Sequence, residues 1–196
     1  MGFLKGKTAI ITGGGRSVLK DGSCGSIGYG IATAYAKEGA NLVITGRNKQ
    51  KLADAKEELE RLYNIEVLPV QADVSAGADN ETVVQHVIDE TIAKFGRIDV
   101  LINNAQASAS GVAANEWGPD GINANIICPL AWTAQLENFQ QAYPEAFEAN
   151  VKMPPAGHYG DVEKEIGRVC VQLASPDFKY MNGETLTLEG GMGLRP

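Results

Sequence analysis

The chain has 196 residues, which fits one domain with a substantial core. Hydrophobic residues make up 44% and charged residues 21%, an ordinary soluble composition. The formal net charge of −7 gives neither nucleic acid nor an anionic membrane surface an electrostatic footprint.

Three cysteines, Cys24, Cys128 and Cys170, form no C-x-x-C pair and read as free thiols of a reducing compartment. No apolar run is long enough to span a bilayer, and Met1 to Lys7 has no apolar signal core. These features point to the cytoplasm. The two histidines, His86 and His158, share no ligand-like spacing, so no metal site is expected.

Short β runs alternate with amphipathic helices, the pattern of a parallel sheet covered on both faces. Thr8–Thr12 reads as the first strand. A glycine-rich loop follows, then a helix from Ser26 to Glu38 stopped by Gly39. Asn41–Thr45 is the second strand, and Asn48 caps a helix with the apolar stripe Leu52, Ala55, Leu59 and Leu62. Glu66–Val70 is the third strand. The next helix is expected to bury Val83, Val84, Val87, Ile88 and Phe95, and Ile98–Ile102 is the fourth strand.

The rhythm then breaks. Gln106–Gly111 is small and polar, Val112–Trp117 gives a short helix, and Ile122–Ile127 is another strand. Pro129–Pro155 is long, aromatic and proline-bearing, and reads as a mobile lid rather than core. Asp161 caps a helix carrying Val162, Ile166, Val169, Cys170 and Leu173. Thr185–Leu188 is the last strand.

Two places carry dinucleotide chemistry. Thr12, Gly13, Gly14 and Gly15 follow the first strand, and Gly25, Ser26, Ile27 and Gly28 open the first helix. Glycines let the backbone approach a pyrophosphate, and the helix start offers free N–H groups and the positive end of its dipole. An insertion, Arg16 to Cys24 and including Ser17, separates the two halves. At the end of the second strand, where an NAD site usually carries an acid, this chain has Thr45, Gly46, Arg47 and Asn48. A guanidinium there suits the 2′-phosphate of NADP. Asp73 and Val74, after the third strand, are candidates for the adenine. Asn103, Asn104 and Ala105, after the fourth, can brace the backbone beside the cofactor ribose.

In this order, these residues resemble the short-chain dehydrogenase/reductase family over nearly the whole chain. The family's T-G-x-x-x-G-x-G is met by Thr12, Gly13 and Gly28, with Ser26 in place of the middle glycine and an enlarged loop. Its N-N-A-G appears as Asn103, Asn104, Ala105 and Gln106. Its P-G-x-x-T appears as Pro129, Leu130, Ala131, Trp132 and Thr133, and its closing glycines as Gly183, Gly190 and Gly191.

The resemblance implies a single Rossmann-like α/β domain over residues 1–196, a doubly wound parallel sheet of strand order 3-2-1-4-5-6-7. It implies a cofactor site drawn from Gly13, Ser17, Ser26, Ile27, Gly28, Arg47, Asn48, Asp73, Val74, Asn104, Ala105, Gln106, Leu130 and Thr133. It also implies a substrate lid at about 130–158, with Thr133 near the nicotinamide carboxamide, and a homo-oligomeric full-length member. The long glycine loop, Gln106 and the lid are similar to the family's bacterial NADP-dependent hydroxysteroid dehydrogenases of the 12-alpha type, which act on bile acids. A rigid apolar steroid would suit Trp132, Leu136, Phe139, Tyr143 and Phe147, although these rings could equally pack on one another.

One element of the family is missing. Its chemistry needs a tyrosine as acid/base with a lysine four residues on, or seven in its enoyl reductase branch, and a serine on the preceding strand. None of Tyr29, Tyr35, Tyr63, Tyr143, Tyr159 and Tyr180 has a lysine at either spacing. The gap falls at Gly111–Val112, where a fifth strand and the tyrosine helix belong, so no catalytic residue is assigned.

Two readings follow. In the favoured one, a longer enzyme carries a segment that this sequence omits, and it interconverts a secondary alcohol and a ketone. In the other, the chain is a true deletion whose sheet closes by pairing the fourth strand with Ile122–Ile127, leaving a catalytically silent NADP-binding domain.

Overall fold

A computed structural model of the chain describes residues 2–74, 80–104 and 110–193. The first half follows the expected alternation. β1 (Thr8–Thr12) is buried along its whole length, and α1 (Ile27–Lys37) follows the glycine loop. Next come β2 (Asn41–Gly46), α2 (Lys49–Tyr63), β3 (Val67–Gln71), α3 (Asn80–Phe95) and β4 (Val100–Ile102). Asn48 caps α2 by accepting from the Lys51 N–H, and Asn64 ends it in the left-handed conformation. The four strands form a parallel sheet in the order β3-β2-β1-β4.

Two expectations here need correction. β4 is three residues long rather than five, and just before it the Asp99 side chain bonds the start of β1. Its carboxylate accepts from the Thr8 N–H at 2.9 Å and its N–H donates to the Thr8 carbonyl at 2.9 Å. On α3 only Val87 and Thr91 are buried, and Val84 is 40% exposed.

The second half departs further. α4 (Ser110–Trp117) runs without a break through Gly111 and Val112, which are consecutive residues of one helix. The strand expected at Ile122–Ile127 is displaced to β5 (Ile126–Pro129). Asn123, Ala124 and Asn125 instead hold the 179–182 segment. The Asn123 and Asn125 side chains donate to the Met181 carbonyl, and the Ala124 N–H donates to the Asn182 side chain. β5 pairs in parallel with β6 (Thr185–Leu188) and not with β4, so the chain does not close its sheet across the gap. It forms a second sheet of two strands.

The segment expected as a lid is largely helical rather than irregular. It contains α5 (Ala134–Ala142) and α6 (Pro144–Asn150). Its rings pack on one another: Trp132 stands edge-on to Phe147 and Tyr159, and Phe139 lies against Tyr143 and Phe147.

After the lid, Asp161 caps a π-helical turn (Val162–Gly167) that continues as α7 (Arg168–Leu173). This turn packs on α1 with almost no space between backbones. A Cβ on Gly30 would lie 2.4 Å from the Val162 carbonyl oxygen, and one on Gly167 would lie 2.9 Å from Ala34 Cβ. Glycines are required there because any side chain would separate the two helices. The Tyr35 hydroxyl donates to the Cys170 carbonyl at 2.8 Å inside this interface. Val100, Ile102 and Ile127 all pack on the core that α1 and α7 share, which joins the two sheets into one body.

Candidate cofactor and substrate site

The site is built at the C-terminal ends of β1, β2 and β4. Gly13 turns the chain out of β1 with φ +72°, a conformation that glycine adopts at no steric cost. The Gly13 and Gly14 N–H groups both donate to the Thr45 carbonyl, at 2.9 and 3.1 Å. Asn104 fastens β4 to the same turn. Its side chain donates to the Thr12 carbonyl at 3.0 Å and its N–H to Thr12 Oγ1 at 2.9 Å. The space is filled: a Cβ on Gly28 would come within 2.2 Å of the Gly13 carbonyl oxygen and 2.8 Å of Asn104 Nδ2.

The insertion has a structure of its own. Val18 bridges Cys24 antiparallel, Leu19 N–H donates to the Ser23 carbonyl at 2.9 Å, and Gly25 N–H donates to the Ser17 carbonyl at 2.7 Å. Its base is pinned to α2. Arg16 pairs with Glu58 at 2.8 Å, and the buried Tyr29 hydroxyl donates to the other Glu58 oxygen at 2.5 Å. Burial opposes the Glu58 charge, but the bonds from Tyr29 and Arg16 outweigh it and hold this carboxyl below the usual glutamate range. Burial, reinforced by the bond to Glu58, pushes the Tyr29 phenol up. Cys24, half covered by the same loop, has its thiol pushed up to about 11 by burial and is not a nucleophile at neutral pH.

Ser26 stands at the N-cap of α1 in an extended conformation but makes no capping bond. Its hydroxyl is buried with no hydrogen-bond partner among the described residues. The first N–H groups of a helix have no partner within it. An unused hydroxyl beside them fits an anion such as a pyrophosphate, so Gly13, Ser26, Ile27 and Gly28 suit the dinucleotide expected from the sequence.

The other expected residues are placed unevenly. Arg47 is exposed at the end of β2, with its carbonyl held by the Gln71 side chain at 3.0 Å. Asn48 is engaged as the α2 cap, and Val74 packs partly buried against the core beside α3. Asp73 is exposed after β3. Ala105 and Gln106 lie outside the described residues.

Leu130 and Thr133 line a cavity of about 590 Å³ under the lid, together with Leu136, Phe139, Lys152 and Tyr159. Thr133 also caps α5, accepting from the Leu136 N–H. This cavity adjoins the glycine loop. The Ala134 N–H donates to the Gly25 carbonyl at 2.8 Å, and the Lys20 N–H donates to Glu137 on α5 at 3.2 Å. Sequence reasoning did not single out Lys152, Tyr159 or the Arg16–Glu58–Tyr29 clamp. The one available signal was that Lys152 is the only lysine or arginine between residues 130 and 158.

The family model for short chain dehydrogenases matches residues 7–113, and that for enoyl-(acyl carrier protein) reductases matches residues 105–193. The chain belongs to the short-chain dehydrogenase/reductase family of oxidoreductases. Among its relatives, the 12alpha-hydroxysteroid dehydrogenase of Clostridium sp. (strain ATCC 29733 / VPI C48-50) is 50% identical, with both chains covered in full. That alignment runs over 266 positions, 70 more than the 196 residues of this chain. A short-chain dehydrogenase/reductase of Burkholderia xenovorans shares the fold with a TM-score of 0.84, at 19% identity and full coverage of both chains. L-sorbose reductase of Gluconobacter frateurii, solved with NADPH and L-sorbose, gives a TM-score of 0.79 at 20% identity, covering 96% of this chain and 97% of that one.

Proposed function

We propose that this chain is the NADP(H)- and steroid-binding framework of a hydroxysteroid oxidoreductase that interconverts a secondary alcohol and a ketone, with bile acids as the substrate class. The 50% identity to a 12alpha-hydroxysteroid dehydrogenase over the full length of both chains carries this reading. The buried, unpartnered Ser26 hydroxyl at the start of α1 supports a pyrophosphate there. Arg47, with no carboxylate from Thr45 to Asn48, supports NADP over NAD. Residues 1–196 act as one dinucleotide-binding domain with a lid at about 130–158, and the lid cavity takes the steroid.

NADP, when bound, supplies or accepts the hydride. The residues of this chain bind and orient it. Gly13, Ser17, Ser26, Ile27 and Gly28 receive the phosphates, and Arg47 and Asn48 the adenosine ribose phosphate. Asp73 and Val74 receive the adenine. Asn104, Ala105, Gln106, Leu130 and Thr133 are assigned to the nicotinamide half by the family pattern.

A second reading rests on a specific observation. No tyrosine has a lysine four or seven residues on, and the Tyr29, Tyr35 and Tyr159 hydroxyls already donate within the protein. In this reading the chain holds cofactor and steroid but does not transfer hydride.

Titration with NADPH and NADH, followed by an assay of NADP reduction with a 12α-hydroxysteroid, tests both. NADPH is expected to bind about tenfold or more tighter than NADH, and Arg47→Asp to remove that preference, since bonds to a charged group contribute about 1.5–3 kcal/mol. Failure to bind NADPH would overturn both readings. Turnover by the 196-residue chain would overturn the second.

A further inference from the structure

The lid cavity is walled largely by apolar groups, among them Leu130, Leu136, Phe139, Val151 and Met192, with Thr133, Gln135, Asn150 and Tyr159 as its uncharged polar groups. Of the charged side chains of the lid, Glu137, Glu145 and Glu148 lie outside its lining, and Lys152 is the one charged residue within it. The Lys152 ammonium forms no ion pair among the described residues. Its backbone is fixed where the lid returns from α6: the Tyr159 hydroxyl donates to the Lys152 carbonyl at 2.7 Å, and the Tyr159 ring packs edge-on against Trp132. A largely apolar cavity with a single charged residue, an unpaired lysine, at a tethered position on its wall is complementary to a ligand with an apolar body and one negative end.

From this juxtaposition we infer that Lys152 is a specificity-determining residue. It reads a carboxylate on the substrate and thereby selects steroid acids over neutral steroids. The inference rests on the proposed steroid site and adds to it the residue that recognises the anionic end. In a protein of net charge −7, a carboxylate ligand is repelled at long range, which makes a local cation at the cavity the more decisive for an acidic substrate. The lysine is exposed, so its pairing is screened by salt and contributes modestly.

Binding rather than turnover provides the test, using the full chain saturated with NADPH. Cholic acid and its methyl ester, both below their micelle-forming concentrations, are titrated by calorimetry at low ionic strength and again at high salt. The acid is expected to bind about two- to fivefold tighter than the ester at low salt, with the advantage shrinking as salt rises. Lys152→Gln should remove the advantage of the acid over the ester, and Lys152→Arg should restore it. Equal binding of acid and ester by the parent chain, or a preference that survives Lys152→Gln, would overturn the role of Lys152 and leave the steroid site standing. Failure of both probes to bind would overturn the steroid site and this inference with it.

Discussion

At the scale of single residues, the clamp of Arg16, Glu58 and Tyr29 carries the most testable chemistry. It binds both the root of the glycine-loop insertion, through Arg16, and α1, through Tyr29, to one carboxylate of α2. The folded protein holds the Glu58 carboxyl below its usual value of 4.5. A depressed carboxyl contributes stability that is present above the unfolded value and is lost as pH falls through the folded one. Glu58→Gln is therefore expected to cost about 1 kcal/mol at neutral pH. The difference in melting temperature from the parent should narrow as pH falls below 4.5. A difference that stays flat from neutral to acid pH would show that the charge of Glu58 has no part in the clamp.

At the scale of elements, the contact between α1 and the π-helical turn decides how the cofactor loop is held. Gly30 lets the Val162 carbonyl approach α1, and Ile27, one turn earlier, packs with Val162, Ala131 and Leu188. Alanine would favour an isolated helix at this position by about 1 kcal/mol over glycine. Here the added Cβ meets a backbone oxygen at 2.4 Å, which backbone shifts can relieve only at a cost of about 1–3 kcal/mol. Gly30→Ala should thus destabilise the protein in urea despite its better helix propensity, and should weaken NADPH binding as the start of α1 moves. Equal or greater stability in the variant would refute the close packing of these helices.

At the scale of the whole molecule, the chain is a short-chain dehydrogenase/reductase whose parallel sheet stops at β4 and resumes as a separate pair, β5 and β6. The two family matches overlap over residues 105–113, the region where the sequence departs from the family pattern. The relative's alignment has 70 positions more than this chain has residues. Inserting into this region the family's serine strand and tyrosine/lysine helix, which this sequence lacks, is expected to produce hydride transfer from a 12α-hydroxysteroid to NADP. NADPH should still bind, because the glycine loop and the end of β2 lie outside this region, although Ala105 and Gln106 of the proposed nicotinamide half fall within it. A graft that folds, binds NADPH and still shows no turnover would mean that catalysis requires more than the absent segment.

The dinucleotide half was legible because its signals are local. A strand followed by glycines, a capped helix and a basic residue after β2 are each set by residues close together in the chain, and β1, α1, β2 and α2 fall within a residue or so of their expected ends. The strand expected at Ile122–Ile127 moved to Ile126–Pro129 because the asparagine side chains of 123 and 125 hold the distant 179–182 segment, a long-range bond that periodicity cannot see.

For the same reason, Lys152 and Tyr159 could not be grouped with Leu130 and Thr133, which only the folded chain brings to one cavity. The choice of β6 rather than β4 as the partner of β5 is likewise a tertiary decision. Sequence alone determined the family, the glycine loop, the presence of an arginine rather than an acid after β2 and the lack of a Tyr/Lys pair, because each is a matter of which residues occur and in what order. Tertiary structure decided which strands pair, that the rings of residues 132–159 pack on one another, that glycines seat α1 on the π-helical turn, and that one lysine lies among the residues lining a cavity. Those outcomes depend on packing and hydrogen bonds between residues far apart in the chain.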